Sequence, residues 1–334
     1  MTAAVANFAT VNVLPSDSDL WIRCPECFAS AGAVSDHEES RSPERIQCHV
    51  CGHVIARSNG IWRMLSRKQR QQFSSFIRDY EQIRRAEGRG SNHPAFYLAL
   101  PFADLTGNFS DQWRIRGRSY RFIERHILPA IEQRHGKSLR VLDIGAGNCW
   151  LSYRLALRGH RPVALDVCCN ASDGLEAAAH YESVLPEFFV RIEAEMNCLP
   201  LDDGQFDVVL FNAAFHYSTD YARTLQEALR CLRPEGTILI VDSPTYRQAE
   251  SGEKMRRERR RAFAHKFGTR SDSLPSGDYL TPAIMNDLAA LGIRWTRHLA
   301  WYGLRWWLRP VVARLNGRRE PSQFYIYEGR TATS

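Results

Sequence analysis

Short apolar runs alternate with segments of helical period through the middle of the chain, which predicts an α/β fold. Five runs have the length and continuity of buried parallel strands, and they lie at residues 140–144, 161–166, 188–194, 206–211 and 237–241. The segments that carry apolar residues at helical spacing between them lie at residues 150–158, 175–184 and 221–232. We therefore predict a doubly wound sheet, which two strands at about residues 293–301 and 322–328 complete as a seven-stranded sheet.

Helical periodicity also precedes this core. Residues 62–92 place Phe73, Phe76 and Tyr80 at helical spacing, and Tyr80 and Arg84 share one face of the predicted helix. This helix is either a lid that presents both side chains to a ligand or an ordinary linker helix. A second amphipathic helix, residues 113–131, is expected to cover the start of the sheet.

A glycine turn follows the first strand of the core. Gly145 and Gly147 permit positive φ angles and let backbone N–H groups approach a ligand closely. A dinucleotide site would need a small residue where Trp150 stands. Asp143, just before the turn, is unsuited to phosphate but suited to an ammonium group. The pattern favours S-adenosylmethionine (SAM) over NAD, which is the weaker interpretation.

The second strand ends at an acidic residue, Asp166. In α/β nucleotide-binding folds a carboxylate at this place accepts hydrogen bonds from both ribose hydroxyls. Asp166 follows Asp143 at close to the expected interval, so we predict that it binds the adenosine ribose.

These features together resemble class I SAM-dependent methyltransferases of the type 11 kind. The resemblance rests on Asp143-x-Gly145-x-Gly147, on the link Leu199-Pro-Leu, and on the tract Leu232-Arg-Pro-Glu-Gly236. It implies a Rossmann-like domain with SAM across the carboxyl ends of strands one to four. It further implies that Glu195 and Met196 lie beside the adenine. The predicted SAM-binding set is Asp143, Gly145, Ala146, Gly147, Asn148, Asp166, Val167, Glu195, Met196 and Asn212. The family often has a third glycine where this chain has Cys149.

Three polar residues at the end of strand four are the candidates for contact with the methyl acceptor. They are Asn212, His216 and Tyr217. His216 could take a proton from a nucleophile near neutral pH. Methyl transfer often proceeds by positioning alone, so we favour a packing or supporting role for His216.

Two C-x-x-C motifs near the N-terminus predict a metal site. Cys24 and Cys27 form the first pair, and Cys48 and Cys51 form the second about twenty residues later. Four thiolates at this spacing suit one tetrahedral Zn²⁺ ion with no open position. We predict a structural zinc ribbon, with residues 35–45 as the loop between its hairpins.

Charge is distributed unevenly around a formal net charge of +7. Residues 1–140 and 251–334 carry +6 and +9, whereas residues 141–250 carry −8. The basic flanks suit nucleic acid or an anionic membrane surface, or are simply solvated. Signal-peptide and membrane-spanning patterns are absent from the sequence, and nine cysteines without an export signal favour reduced thiols. We therefore expect a cytoplasmic protein.

The C-terminal part holds four tryptophans among arginines. Trp295, Trp301, Trp306 and Trp307 follow a basic helix predicted at residues 253–266. Aromatic residues among arginines suit stacked bases or a membrane interface. We favour the alternative that most of these tryptophans lie in the core. In that interpretation one buried helix side carries Leu304, Leu308, Val311 and Leu315.

The predicted organisation has four parts and three candidate functions. A flexible N-terminus (1–20), a zinc ribbon (21–60) and a lid or linker helix with its loop (61–112) precede the methyltransferase domain (113–330). Residues 250–320 of that domain form a helical insertion over the substrate. We favour methyl transfer to a small molecule. An RNA methyltransferase that uses the ribbon and basic flanks, and a SAM-binding scaffold without turnover, are the alternatives. The sequence does not define the oligomeric state.

Overall fold

The computed structural model of the chain describes residues 19–35 and 44–331. Its N-terminal part is built from five short strands, which are β1 (Asp19–Arg23), β2 (Ser30–Ser35), β3 (Arg45–Gln47), β4 (Val54–Ser58) and β5 (Ile61–Arg63). The hairpins β1–β2 and β3–β4 are both antiparallel. Most of the predicted flexible N-terminus and of the loop predicted at 35–45 lies outside the described residues.

Four helices and a π-helical turn connect these strands to the core. They are α1 (Arg67–Ala86), α2 (Pro94–Ala99), α3 (Ser110–Phe122), the π turn Ile123–Ile127 and α4 (Leu128–His135). The prediction of one helix over residues 62–92 is wrong at its start, because residues 61–63 pair as a strand. Ser66 then caps α1 in a reciprocal capping box with Gln69.

The core elements follow in the predicted order. They are β6 (Arg140–Ile144), α5 (Trp150–Ala156), β7 (Arg161–Asp166), a 3₁₀ helix (Leu175–Val184), β8 (Val190–Glu193), β9 (Phe206–Asn212), a short 3₁₀ turn (Phe215–Tyr217), α6 (Tyr221–Cys231) and β10 (Leu232–Thr245). Every residue of β6 is buried, as the continuous apolar run predicts for a strand covered on both faces.

The C-terminal part completes the sheet around a helical insertion. Its elements are α7 (Ala249–Phe267), α8 (Pro282–Ala289), β11 (Ile293–His298), α9 (Leu304–Trp307), α10 (Arg309–Leu315) and β12 (Gln323–Thr331). Strand β12 runs antiparallel to both of its neighbours, β10 and β11.

The main sheet has ten strands, so the prediction of seven is wrong. Its order is β11-β12-β10-β9-β6-β7-β8-β5-β4-β3. The first seven strands of this order are those that the sequence predicts, and β5, β4 and β3 extend the sheet beyond β8. Strand β5 pairs in parallel with β8, from Ile61 opposite Arg191 to Arg63 opposite Glu193. The N-terminal part is thus continuous with the core sheet.

The first hairpin also contacts the core. Arg23 forms an ion pair with Asp202 at 2.9 Å, and the Trp21 backbone N–H donates to Gln205 Oε1 at 2.7 Å. The Arg67 backbone N–H, in the first turn of α1, donates to Glu26 Oε1 at 2.8 Å. Because Glu26 lies between Cys24 and Cys27, this bond ties the start of α1 to the first cysteine motif.

The sequence favours a core position for most of the four tryptophans, and this prediction is wrong. Trp301 and Trp307 are 64% and 62% exposed, while Trp295 and Trp306 are half-buried. The four residues predicted to bury one helix side, Leu304, Leu308, Val311 and Leu315, are also exposed. Within the described residues, no helix is both long and apolar enough to cross a membrane.

Candidate active site

A cleft lies at the carboxyl ends of four adjacent strands, β6, β7, β8 and β9. This is the edge of an open α/β sheet at which ligands bind. Helix α1 contributes an apolar wall of Phe73 and Phe76, and Leu274 adds to it. The empty space between these residues, including the open mouth and the solvent in it, is about 1070 Å³.

The glycine turn forms the floor of the cleft. Gly145 has a φ angle of +73°, and a Cβ atom there would lie 2.3 Å from the Cβ atom of Ala214. The Gly147 N–H donates to Asp166 Oδ2 at 2.8 Å. Cys149 adopts a φ angle of +60°, so it takes the left-handed conformation that glycine adopts without strain. Ala146 and Asn148 line the cleft beside these residues.

Asp143 is a buried carboxylate with one unused oxygen atom. Its Oδ2 atom accepts a hydrogen bond from Ser152 Oγ at 2.7 Å, whereas Oδ1 has no partner among the described residues. Burial raises the pKa of Asp143 to about 7. A cationic ligand group in the cleft would satisfy Oδ1 and favour the ionised form.

Asp166 and Glu195 are the two carboxylates that the sequence predicts beside the ribose and the adenine of the ligand. The Asp166 carboxylate accepts hydrogen bonds from the N–H groups of Gly147 and Cys168, both at 2.8 Å, and Val167 lines the cleft beside it. Glu195 Oε1 accepts a hydrogen bond from the Asn197 N–H at 3.0 Å. Burial raises the pKa of Glu195 to about 7, and the half-buried Met196 follows it.

The three polar residues predicted to contact the acceptor occupy different positions. Asn212 and Tyr217 line the cleft, whereas His216 is absent from its lining. His216 is buried, and its Nδ1 atom lies 3.3 Å from Ser243 Oγ. Burial, with the charges of Arg259 and Arg116, lowers the pKa of His216 to about 3, so its ring is neutral at physiological pH.

Helix α1 lies along one side of the cleft. Tyr80 and Arg84 both line it, and the Tyr80 ring meets the Tyr217 ring edge-on with centroids 6.1 Å apart. Arg84 forms a hydrogen-bonded ion pair with Asp173, which precedes the 3₁₀ helix after β7. Contacts from α1 therefore reach both ends of the cleft.

Arg116 is a cleft residue that the sequence prediction omits. It lies on α3 and lines the cleft, with its guanidinium 4.7 Å from the Trp113 ring centroid. Among the described residues it forms neither a hydrogen bond nor an ion pair. Burial, together with repulsion from Arg84 and Arg89, lowers the pKa of Arg116. The sequence feature that could have indicated Arg116 is its place on a predicted amphipathic helix, one helical turn after a tryptophan.

The four cysteines of the two motifs form a compact cluster. Their sulfur atoms all lie within 4.8 Å of one another. The Cys24–Cys51 and Cys27–Cys48 sulfur distances are 3.5 and 3.6 Å. A Zn²⁺ ion with four sulfur ligands at about 2.3 Å requires sulfur atoms about 3.8 Å apart. The cluster therefore fits a tetrahedral metal ion, and each motif connects the two strands of one hairpin.

Comparisons with known proteins match the central part of the chain. Residues 142–240 match the protein family described as methyltransferase domain. An uncharacterized methyltransferase of Mycobacterium tuberculosis is 40% identical over 102 residues, which cover 30% of this chain and 39% of that protein. The sarcosine/dimethylglycine N-methyltransferase of Halorhodospira halochloris is 29% identical over 132 residues, which cover 40% of this chain and 47% of that protein. The chain thus spans less than half the length of these relatives.

Among solved structures, 1,6-didemethyltoxoflavin-N1-methyltransferase of Burkholderia thailandensis is 14% identical with a TM-score of 0.45. The match covers 89% of this chain and all of that one. That protein was solved with S-adenosylhomocysteine and its substrate bound. The family match covers residues 142–240, the central part of the methyltransferase domain that the sequence predicts at residues 113–330.

Proposed function

We propose that this protein is an enzyme that transfers a methyl group from SAM to a small molecule, and that its cysteine cluster holds a structural zinc ion. The observation that carries the proposal is the pair of carboxylates on either side of the glycine turn. Asp143 offers a free oxygen atom to an ammonium group, and Asp166 lies at the strand end where ribose hydroxyls bind. The family match over residues 142–240 supports the same assignment.

The residues of the cleft fit the chemical groups of SAM. Asp143 would accept hydrogen bonds from its ammonium group, and Arg116 would pair with its carboxylate. Glu195 and Met196 would lie beside the adenine. Bound SAM supplies a methyl group activated by the neighbouring sulfonium.

The acceptor would lie on the β9 side of the cleft, where Asn212 and Tyr217 can hold it. We propose that these two residues orient the acceptor and that His216 supports Tyr217, since their ring centroids lie 4.4 Å apart. Phe73 and Phe76 of α1 form an apolar wall that would exclude water, so orientation and desolvation would contribute most of the rate enhancement. A cleft bordered by this helix favours a small molecule over a nucleotide within a polymer.

Transfer of a labelled methyl group tests the proposed function. The purified protein is incubated with methyl-labelled SAM and a cell extract, which is then separated into RNA, protein and small-molecule fractions. We expect label in the small-molecule fraction. Label in RNA that nuclease releases would indicate an RNA methyltransferase. Tight SAM binding without transfer to any fraction would indicate a scaffold.

The affinity for SAM should depend on pH through Asp143. Because the pKa of the free Asp143 carboxyl is about 7 and the ammonium group favours its ionised form, SAM binding should release a proton below this pH. We expect the affinity to fall about tenfold per pH unit from about pH 7 to about pH 5. Titration calorimetry at several pH values across this range measures the affinity for SAM.

Asp143→Asn should weaken SAM binding and flatten this pH dependence. Glu195→Gln is the control, since burial also raises the pKa of Glu195 to about 7 while the adenine beside it is neutral. An Asp143→Asn protein with the wild-type slope would disprove the role of Asp143.

Arg116→Ala should reduce the affinity for SAM by about 10- to 100-fold, the value of a charge-assisted hydrogen bond to a carboxylate. Arg114→Ala is the matched control, because Arg114 lies on the same helix, is exposed and, among the described residues, pairs only with Asp111. Decarboxylated SAM provides the sharper comparison. It should bind to the wild type and to Arg116→Ala equally, and a loss of binding for both ligands would contradict the assignment.

A further inference from the structure

An apolar stripe lies on the outer side of the two short helices α9 and α10. It consists of Leu304, Trp307, Leu308, Val311, Val312 and Leu315, which are between 37% and 81% exposed. Their spacing of three and four residues places them on one face of consecutive helical turns. A face of this composition ordinarily packs against a protein core, but here it is turned towards solvent.

The opposite side of these helices holds them in this orientation. The Trp306 ring stacks on the Phe324 ring of β12, with centroids 5.4 Å apart, and it also contacts the ring of Tyr302. The Arg309 guanidinium lies 3.4 Å from the Trp306 ring centroid. Just before α9, the Tyr302 and Ser119 hydroxyl oxygens are 2.8 Å apart, which ties the segment to α3. Inward rotation of the apolar stripe would break these contacts.

The segment that carries the apolar stripe is basic. Residues 299–319 contain five arginines and no acidic residue. Arg305, Arg314 and Arg318 are exposed, and none of the three forms an ion pair among the described residues. The surface therefore combines a row of aliphatic and indole side chains with three exposed, unpaired arginines, while Arg319 at its end pairs with Glu258.

This combination matches an anionic lipid surface better than the other possible partners. Leucine and valine side chains suit hydrocarbon, and tryptophan favours the interface between hydrocarbon and water. Arginines attract acidic headgroups. Nucleic acid is bound through its phosphates and by aromatic stacking, which leaves the five aliphatic members of the stripe unused. A symmetric contact between two copies would place the three unpaired arginines of one chain against those of the other.

We infer that the apolar stripe and its arginines dock this protein reversibly onto membranes that contain anionic lipids. The aliphatic side chains and Trp307 would enter the interfacial region, while Arg305, Arg314 and Arg318 pair with lipid phosphates. This inference does not depend on the proposed methyl transfer, since it rests on a surface outside the cleft.

Vesicle co-sedimentation of the full chain tests the inference. Vesicles of phosphatidylcholine alone are compared with vesicles of equal parts phosphatidylcholine and phosphatidylglycerol. Three unpaired arginines predict binding about 100-fold tighter to the anionic vesicles. The double variant Trp307→Ser/Leu315→Ser should bind these vesicles at least about tenfold more weakly. Its melting temperature and SAM affinity should be unchanged, because both side chains are largely exposed.

The matched control is Leu105→Ser/Leu157→Ser, which removes two apolar side chains that are 59% and 47% exposed outside the stripe. It should bind vesicles like the wild type. Equal binding by the stripe variant and the wild type would overturn the inference, as would failure of the wild type to bind either vesicle. Two other results would also overturn it. One is a wild-type dimer that the stripe variant dissociates, seen by sedimentation velocity. The other is tighter binding to a mixed-sequence RNA than to anionic vesicles.

Discussion

Gly145→Ala should abolish measurable SAM binding, a loss of about 100-fold or more. The new Cβ atom would lie 2.3 Å from the Cβ atom of Ala214, a distance that non-bonded carbon atoms do not adopt. The turn would have to move away from β9, and the N–H groups and Asp143 at the cleft floor would move with it. Alanine at a φ angle of +73° also adds strain of about 1–2 kcal/mol.

Two variants separate the clash from the strain. Gly159 has a φ angle of +83° with no atom within 4 Å of the added Cβ, so Gly159→Ala introduces the same strain outside the cleft and should retain SAM binding. The double variant Gly145→Ala/Ala214→Gly removes the opposing methyl group and should recover part of the affinity. Isothermal titration calorimetry measures the affinity of all three variants for SAM. Wild-type affinity in Gly145→Ala would refute this position for the ligand.

If the cysteine cluster holds zinc as proposed, Cys51→Ser should release the ion and lower the free energy of unfolding by about 4 kcal/mol or more. Cys51 is the exposed member of the cluster, so its replacement removes a ligand without leaving a cavity. Zinc content is measured by mass spectrometry, and stability by guanidinium unfolding.

Cys198→Ser is the control for this variant, because Cys198 is half-buried and outside the cluster. It should retain both zinc and most of the stability. A Cys51→Ser protein with one zinc ion per chain would contradict the assigned ligands. A metal-free wild type as stable as the loaded protein would instead show that the ion does not stabilise the fold.

The sequence predicts best what is determined locally. Strand β6 has the predicted bounds, since an apolar run followed by glycines marks a buried strand before a turn. The pairing of β5 with β8 joins residues 61–63 to residues 191–193. Three residues are too few to specify a partner so distant in the chain. The prediction of seven strands is wrong for this reason.

In the candidate site too, the sequence predicts the residues of local motifs and omits a residue that tertiary packing brings in. Asp143, Gly145 and Asp166 belong to a fixed strand–turn–helix pattern, and all three line the cleft. Arg116 lines it too, but it comes from a helix whose distance from the turn is set by tertiary packing. Periodicity likewise identifies the apolar stripe on α9 and α10 without indicating whether it faces the core or solvent. Contacts of Trp306 and Arg309 decide its orientation, and helical spacing alone does not predict these contacts.

The hydrogen bond from the Arg67 N–H to Glu26 connects the first cysteine motif to helix α1, which also lines the cleft. Helix α1 begins beside the first cysteine motif, and it carries Arg84 near its C-terminal end, where Arg84 lines the cleft. An ion bound by the motif would also order the helix. Part of the conformational entropy of the helix would then be lost when the ion binds, so that a ligand entering the cleft would lose less. Thermodynamic reciprocity then requires that a ligand in the cleft strengthens retention of the ion by the same factor.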